Sequence, residues 1–431
     1  MRKIKSFFIT SLFTGSGKTT FTMGLLNLLK KDVISFKTGP DFIDPILHMK
    51  ITGKKSYNLD SFFLDKDRLN NHFYGICKEN KNENIVIEGA MGLLDGVRKN
   101  EASSDDIASK LELPVTLLIE SYPSIHTIGP IINGIKNSAR SNIKSIIITK
   151  SKSEKMFNLQ KKSIIEETGI KNVFRFPKSD LLNIKDRHLG LNIHEDDFLK
   201  VAENASKLIR DNIDINILSH QINLNYDSEK IFNKNKLDYK NKKIAISKDE
   251  AFNFLYEDNL KYFEDKGLEI LYFSPLNDKE IPDADFYYFT GGYPELFLKK
   301  LSKNKSMLRS VNKICNSEKP VIAECGGFMY LSKSINNYKM VGFFDCDSYM
   351  QNRMFKTFGY QNIKLNDFEI KGHEFHYSDM NYNEEINAFN IIMESSKNTF
   401  KSGILKNKTL GSYSHLYFKS SSKEELLWEF L

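Results

Sequence analysis

Short apolar runs alternate with helical patterns through the first half of the chain. Ile4 to Leu12 reads as a buried strand. Thr19 to Leu29 then repeats apolar positions at helical spacing, at Phe21, Met23, Leu25, Leu26, Leu28 and Leu29. Further β-branched runs lie at Val33 to Phe36, Ile85 to Ile87, Val115 to Ile119 and Ile146 to Ile148. Runs apolar on both faces fit strands of a parallel sheet covered on each side. The alternation predicts a doubly wound α/β domain. From Ile222 to Lys243 the chain turns polar, rich in Asn, Lys and Asp, and loses its period, as a linker does. Strand-like runs resume at Lys243 to Ser247, Leu268 to Phe273, Phe286 to Phe289 and Val321 to Ala323. The expected organisation is an α/β domain over 1–222, a linker over 223–242 and a second α/β domain over 243–431.

Composition narrows the partners. The 431 residues leave room for two or three cores, and 40% hydrophobic with 27% charged residues is ordinary for a globular chain. The net charge of +7 comes from 62 basic and 55 acidic residues that are interleaved. Nucleic-acid binding needs basic residues clustered on one face, so no nucleic-acid partner is expected. No run approaches the roughly 20 apolar residues of a membrane span, so no membrane partner is expected either. The apolar stretch from Phe7 to Phe13 follows a basic start but breaks at once into Thr14-Gly15-Ser16-Gly17-Lys18, unlike a secretory leader. The four cysteines, Cys77, Cys315, Cys325 and Cys346, show no metal or redox spacing, which fits a cytoplasmic protein.

Two segments carry chemistry. Gly15-Ser16-Gly17-Lys18-Thr19-Thr20 lies between the first strand and the first helix, the setting of an ATP phosphate loop. Glycines let backbone N–H groups approach phosphate oxygens, Lys18 would meet the outer phosphates, and the Thr19 hydroxyl would face Mg²⁺. Leu12 stands where the usual pattern has its first glycine. Glu88 ends an apolar strand, as a Mg²⁺ ligand does, and Asp41 is a second candidate ligand. Lys37, Asp44 and Asp95 are candidates for positioning substrate or phosphoryl group, because ligands collect beyond the carboxyl ends of parallel strands.

The second segment is Val321 to Leu331, which reads as strand, tight turn and helix with Cys325 at the elbow. A helix N-terminus there is expected to favour the thiolate. His415, in a strand-like segment, is the candidate base. Gly291, Gly292 and Gly326 are candidates to donate N–H groups to an oxyanion. His373 and His376 form a pair without an evident third metal ligand, and a motif that shapes the domain is the expected reading.

These segments carry a resemblance. Gly291-Gly292-Tyr293-Pro294-Glu295, Glu324-Cys325-Gly326-Gly327 and Ser414-His415-Leu416 resemble a class I glutamine amidotransferase domain. Lys37 to Pro45, Tyr57 to Asp60, Glu88 to Gly96 and Arg187 to Leu191 resemble the ATP-binding half of the cobyrinic acid a,c-diamide synthase family, and so do Asp249 to Phe254, Phe273 to Leu276 and Gly372 to Ser378 in the second half. The likeness runs from about residue 4 to about residue 418. It implies ATP- and Mg²⁺-dependent amidation of the a and c acetates of cobyrinic acid with ammonia from glutamine, through an acyl phosphate, with a homodimer as a possible assembly. The same reaction on hydrogenobyrinic acid or nickel sirohydrochlorin, and a phosphate-loop ATPase switch that forms no amide, remain as alternatives. Many amidotransferases of this class carry a Glu two residues after the histidine. Tyr417 stands there, so the resemblance implies a Cys325–His415 dyad.

Overall fold

The computed structural model describes residues 3–182, 195–224, 239–351 and 358–431. The Arg187 to Leu191 motif and most of the expected linker lie outside the described residues. The chain divides into two compact units, Met1–Phe232 and Asn233–Leu431.

The first unit runs β1 (Lys3–Ser11), α1 (Lys18–Leu29), β2 (Val33–Thr38), α2 (Ile43–Thr52), β3 (Ser56–Leu59), α3 (Lys66–Glu79), β4 (Asn84–Glu88), α4 (Ser104–Lys110) and β5 (Val115–Glu120). It continues with α5 (Ile128–Ser138), β6 (Ile143–Ser151), α6 (Glu154–Thr168), β7 (Val173–Pro177), α7 (Glu195–Asn212), α8 (Ile215–Leu218) and β8 (His220–Asn223). Its sheet has the order β3-β2-β4-β1-β5-β6-β7, all parallel, with β8 antiparallel beside the start of β1. The strands are apolar on both faces because both are covered. On one face α1, α2 and α7 bury Phe21, Leu47 and Ala205 against Phe7, Val86 and Ile147 of the sheet. The expected α/β class holds. The order also sets β4 between β1 and β2, so the loops leaving these three strands share one end of the sheet.

The second unit runs β9 (Lys243–Ser247), α9 (Glu257–Asp265), β10 (Glu269–Phe273), β11 (Phe286–Phe289), α10 (Leu298–Lys303), α11 (Lys305–Cys315), β12 (Val321–Glu324), α12 (Gly326–Leu331), β13 (Ser332–Ile335), β14 (Tyr338–Lys339) and β15 (Phe344–Met350). Then follow β16 (Gly359–Leu365), β17 (Phe368–Glu374), β18 (Ser378–Tyr382), β19 (Phe389–Met393), β20 (Thr399–Ser402), β21 (Ile404–Lys406), β22 (Thr409–Ser412) and β23 (His415–Tyr417). The central sheet has the order β10-β9-β11-β12-β22-β21, parallel but for β21. An antiparallel sheet, β20-β19-β16-β17-β23, covers one face with α9. The chain's one tryptophan, Trp428, sits in that core with its indole N–H donating to the Tyr287 carbonyl at 2.9 Å. Leu426, Leu427 and Trp428 thus make the chain beyond residue 418 part of the core.

Candidate functional site

In the first unit, Gly15 and Gly17 adopt φ of 86° and 88°, which an L side chain rarely tolerates. They turn the chain from β1 into α1 and place Lys18 at the helix start. Leu12, the first residue after β1, needs no glycine because its φ is not positive, and its N–H donates to the Leu118 carbonyl at 2.9 Å. Ser16 is buried with Lys18, while Thr19 and Thr20 follow on α1. The Thr149 hydroxyl braces the loop by donating to the Ser16 carbonyl at 2.8 Å. Lys18 donates to the Ser11 hydroxyl at 2.9 Å and the Met91 carbonyl at 2.6 Å. Burial, and then the charge of Lys37, lower its pKa to about 8.

The carboxylates gather around these residues. The Thr19 hydroxyl donates to Glu88 Oε1 at 3.0 Å. Lys37 is buried and lies 2.5 Å from Asp44, 3.6 Å from Asp41 and 3.6 Å from Glu88. Burial alone would lower the Lys37 pKa, but Asp44 and Glu88 outweigh it and hold the ammonium above its ordinary range. Burial and the neighbouring Asp44 push Asp41 above the usual carboxylate value. Asp95 accepts from the Gly92 N–H at 3.1 Å and its charge reaches Lys18. The loops after β1, β2 and β4 thus bring Lys18, Thr19, Lys37, Asp41, Asp44, Glu88 and Asp95 to one place. Four carboxylates face two ammonium groups there. Oxygen donors in electrostatic excess are what Mg²⁺ selects, so the residues fit that ion.

His48 belongs to the same cluster and sequence reasoning passed over it. Its Nε2 lies 2.8 Å from Glu88 Oε2, and its Nδ1 3.2 Å from the Ser56 hydroxyl. Its position one turn after Asp44 on α2 was the available signal. Asn58, within the Tyr57 to Asp60 motif, donates to the carbonyls of Gly39 and Asp41 and so holds the acidic loop.

In the second unit, Cys325 stands between β12 and α12 with φ 46° and ψ −107°. Such a conformation costs about 1–3 kcal/mol in a non-glycine residue and persists where the surroundings impose it. Here the Cys325 N–H is tied to the Ser412 carbonyl at 2.7 Å and its carbonyl accepts from Met329 N at 2.9 Å. The expected thiolate is not favoured. Burial, then the charge of Glu295, push the thiol above its ordinary range, with Glu374 and Glu324 adding to the effect. The Gly326 N–H opposes this but is outweighed by burial and by the negative charge around the thiol. Glu295 is itself raised to about 7 by burial.

His415 opens β23 opposite His373 of β17. The two rings stack with centroids 5.0 Å apart and 20° between planes. Glu324 Oε2 lies 3.7 Å from His415 Nδ1. Gly291 must be glycine, since a Cβ there would overlap the His415 ring. The backbone of Gly292 lies against Gly326, next to the thiol. The 291–292 turn therefore touches both His415 and the residue after Cys325.

The remaining motifs prove to be supports. Asp249 accepts from Ala251, Phe252, Leu276 and the Ser274 hydroxyl, joining the Asp249 to Phe254 and Phe273 to Leu276 motifs. His376 Nε2 lies 2.8 Å from Glu374, whose other oxygen accepts from Gln361; Gln361 in turn accepts from the Ser414 hydroxyl beside His415. His373 and His376 thus serve two different networks. No three His, Cys, Asp or Glu side chains among the described residues are grouped so as to hold an ion by themselves, so a Mg²⁺ beside Thr19, Asp41 and Glu88 would take its remaining oxygens from phosphates and water. No helix among the described residues is long and apolar enough to cross a membrane.

Both units have counterparts among known proteins. Residues 7–191 match a CobQ/CobB/MinD/ParA nucleotide binding domain, and residues 243–423 match a CobB/CobQ-like glutamine amidotransferase domain. A nucleotide-binding domain joined to a glutamine amidotransferase domain defines the class: this chain is a glutamine-dependent, amide-forming carbon–nitrogen ligase. A Fusobacterium nucleatum protein named cobyrinate a,c-diamide synthase is 36% identical over 97% of this chain and 99% of its own length. Proteins of the same name from Picrophilus torridus and Clostridium tetani are 36% and 37% identical, over 98% and 96% of this chain and 97% of each relative. The chain belongs to the cobyrinate a,c-diamide synthase family.

Proposed function

We propose that the chain amidates the a and c acetate carboxylates of cobyrinic acid with ammonia from glutamine, at the expense of ATP. Residues 1–222 activate the carboxylate and residues 243–431 release the ammonia. The observation that carries the reading is the match to synthases of that name over 96% to 98% of this chain.

A carboxylate does not react with ammonia, because its leaving oxygen is too poor. Transfer of the γ-phosphoryl group of ATP to that oxygen gives an acyl phosphate and ADP. Lys18 and the N–H groups of the 15–20 loop hold the phosphates and steady their charge as it shifts. Thr19, Asp41 and Glu88 would hold Mg²⁺, which supplies further positive charge at the phosphates. Lys37, with Asp44 and Asp95, positions the carboxylate. Ammonia attacks the acyl carbon, the C–O bond breaks, and phosphate leaves.

In the second unit, His415 takes the Cys325 proton as sulfur attacks the glutamine side-chain amide. A thiol that rests neutral needs such a base. N–H groups of Gly291, Gly292 and Gly326 are the candidates to receive the oxyanion. His415 returns the proton to the departing ammonia, leaving a glutamyl thioester. Water then cleaves the thioester to glutamate and regenerates the thiol.

The test is mass spectrometry of cobyrinic acid incubated with the protein, ATP, Mg²⁺ and glutamine. Two successive carboxylate-to-amide conversions are expected, and a heavy-oxygen label in the substrate carboxylates should emerge in phosphate. Conversion of nickel sirohydrochlorin or hydrogenobyrinic acid instead would replace the substrate. Absence of any conversion, even with free ammonia, would overturn the reading.

A further inference from the structure

A histidine that accepts a thiol proton needs a partner for its other nitrogen, to fix the tautomer and to balance the imidazolium charge. Tyr417 occupies the place where many class I amidotransferases carry that acid, and a phenol offers no charge at neutral pH. We propose that Glu324, the residue directly before the nucleophile, orients His415 and stabilises its protonated form. The proposal rests on the reading of Cys325 as nucleophile and His415 as base.

Four observations carry it. Glu324 Oε2 faces His415 Nδ1 at 3.7 Å, and both side chains are buried, at 3% and 2% exposure. Glu324 Oε1 accepts from the Leu416 N–H at 3.1 Å, so the carboxylate is tethered to the strand that carries the histidine. The Tyr288 hydroxyl donates to the same carboxylate from β11. The ring is also held by His373, stacked on one face, and by Phe254, tilted at 55° with centroids 6.2 Å apart. His373 does not compete for the proton: burial, and then the charge of His415, hold its pKa well below the ordinary value. Its Nδ1 is engaged by the Tyr256 hydroxyl at 3.1 Å.

A carboxylate at the end of a fully buried strand is costly unless something answers its charge. The separation of 3.7 Å is longer than a hydrogen bond. That suits a resting site in which the thiol keeps its proton; catalytic contacts of this kind tighten once the reacting complex forms. With Nδ1 protonated toward Glu324, Nε2 carries the lone pair that takes the thiol proton. The strand that ends in the nucleophile thus supplies the orienting acid as well.

The test compares Glu324→Gln and Glu324→Asp with the wild-type protein. Glutamine-dependent turnover is read beside ammonia-driven amidation, which bypasses the thiol. Glu324→Gln is expected to lower glutamine-dependent kcat by about 10²- to 10⁴-fold, with KM for glutamine within about threefold and the ammonia-driven rate unchanged. Glu324→Asp, which keeps the charge, is expected to recover at least about tenfold of the loss. A Glu324→Gln protein within about threefold of wild type, or an Asp variant no better than Gln, would overturn the proposal. A second readout needs no variant of Glu324. Nitrogen NMR of the wild-type protein, with His415 assigned by His415→Gln, should show the Nδ1-protonated tautomer; the Nε2-protonated form overturns the proposal. Cys325→Ala in the same assay separates the two levels, since survival of glutamine-dependent turnover there would remove the reading of the site itself.

Discussion

At the scale of single residues, charge decides how Cys325 behaves. Its thiol rests protonated because burial and the charge of Glu295 both disfavour the thiolate. A raised thiol pKa means that thiolate forms only as pH climbs past the ordinary cysteine range. Alkylation of Cys325 by iodoacetamide, followed by peptide mass spectrometry without glutamine, should therefore be slow at neutral pH and still rising at pH 9. Glu295 itself ionises near pH 7, so its charge opposes the thiolate above that pH and not below. Glu295→Gln should speed the alkylation severalfold on the alkaline side of 7 and leave it unchanged at about pH 5. An equal effect at both ends would show that Glu295 acts by shape and not by charge.

Lys37 presents the opposite case, a buried cation among acids. Lys37→Met would leave Asp41, Asp44 and Glu88 facing one another without their shared counter-ion. Loss of one partner of a buried ion cluster costs about 3–5 kcal/mol. Urea unfolding should register that loss, and added Mg²⁺ should restore part of it. Residues with chemistry in their own segment were legible in the sequence: Lys18 and Thr19 from the loop, Cys325 from its elbow, Glu88 from the strand it ends. His48 and the contact of Glu324 were not, because each acquires its meaning from a partner far along the chain. The argument that singled out Glu88, a carboxylate ending a buried strand, applies equally to Glu324 and was the signal available.

At the scale of elements, the glutamine site depends on two backbone approaches. Gly291 leaves room for the His415 ring, and Gly326 leaves room for the backbone of Gly292. Gly291→Ala drives a methyl group into the ring and must displace β23 or the turn. Glutamine-dependent turnover should fall by about 10²-fold while ammonia-driven amidation holds, as for a misplacement of about 1 Å at a reacting group. A fall in both rates would locate the damage in folding instead. The central parallel strands were readable because apolar runs announce strands buried on both faces. The covering sheet was harder to read. β17 becomes a strand by pairing with β16 beside it and with β23 some forty residues on, and only the first of these pairings is local. His415 stands out in the sequence through Ser414-His415-Leu416, but its stacking on His373 emerges only when β23 is laid against β17.

At the scale of the whole molecule, each unit assembles its site from its own residues. Lys18, Thr19, Lys37, His48 and Glu88 all come from the first; Cys325, His415, Glu324, Gly291 and Gly292 all come from the second. The division follows chemistry, since carboxylate activation needs a cradle for phosphates and amide hydrolysis needs a buried thiol beside a base. The loss of period between Ile222 and Lys243 is the sequence feature from which two domains are expected. Such a molecule should separate into its half-reactions under single substitutions. Lys18→Ala removes the ammonium that meets the phosphates, so amidation should fall by about 10²- to 10³-fold with glutamine and ammonia alike, as when one preorganised charge is removed from a transition state. Hydrolysis of glutamine to glutamate, measured without ATP or acceptor, should stay within about threefold of wild type, because Cys325, His415 and Glu324 all belong to the second unit, far along the chain from Lys18. Loss of both rates on Lys18→Ala would mean that the thiol site is switched on by the nucleotide site. The two units would then be coupled by more than the ammonia they exchange.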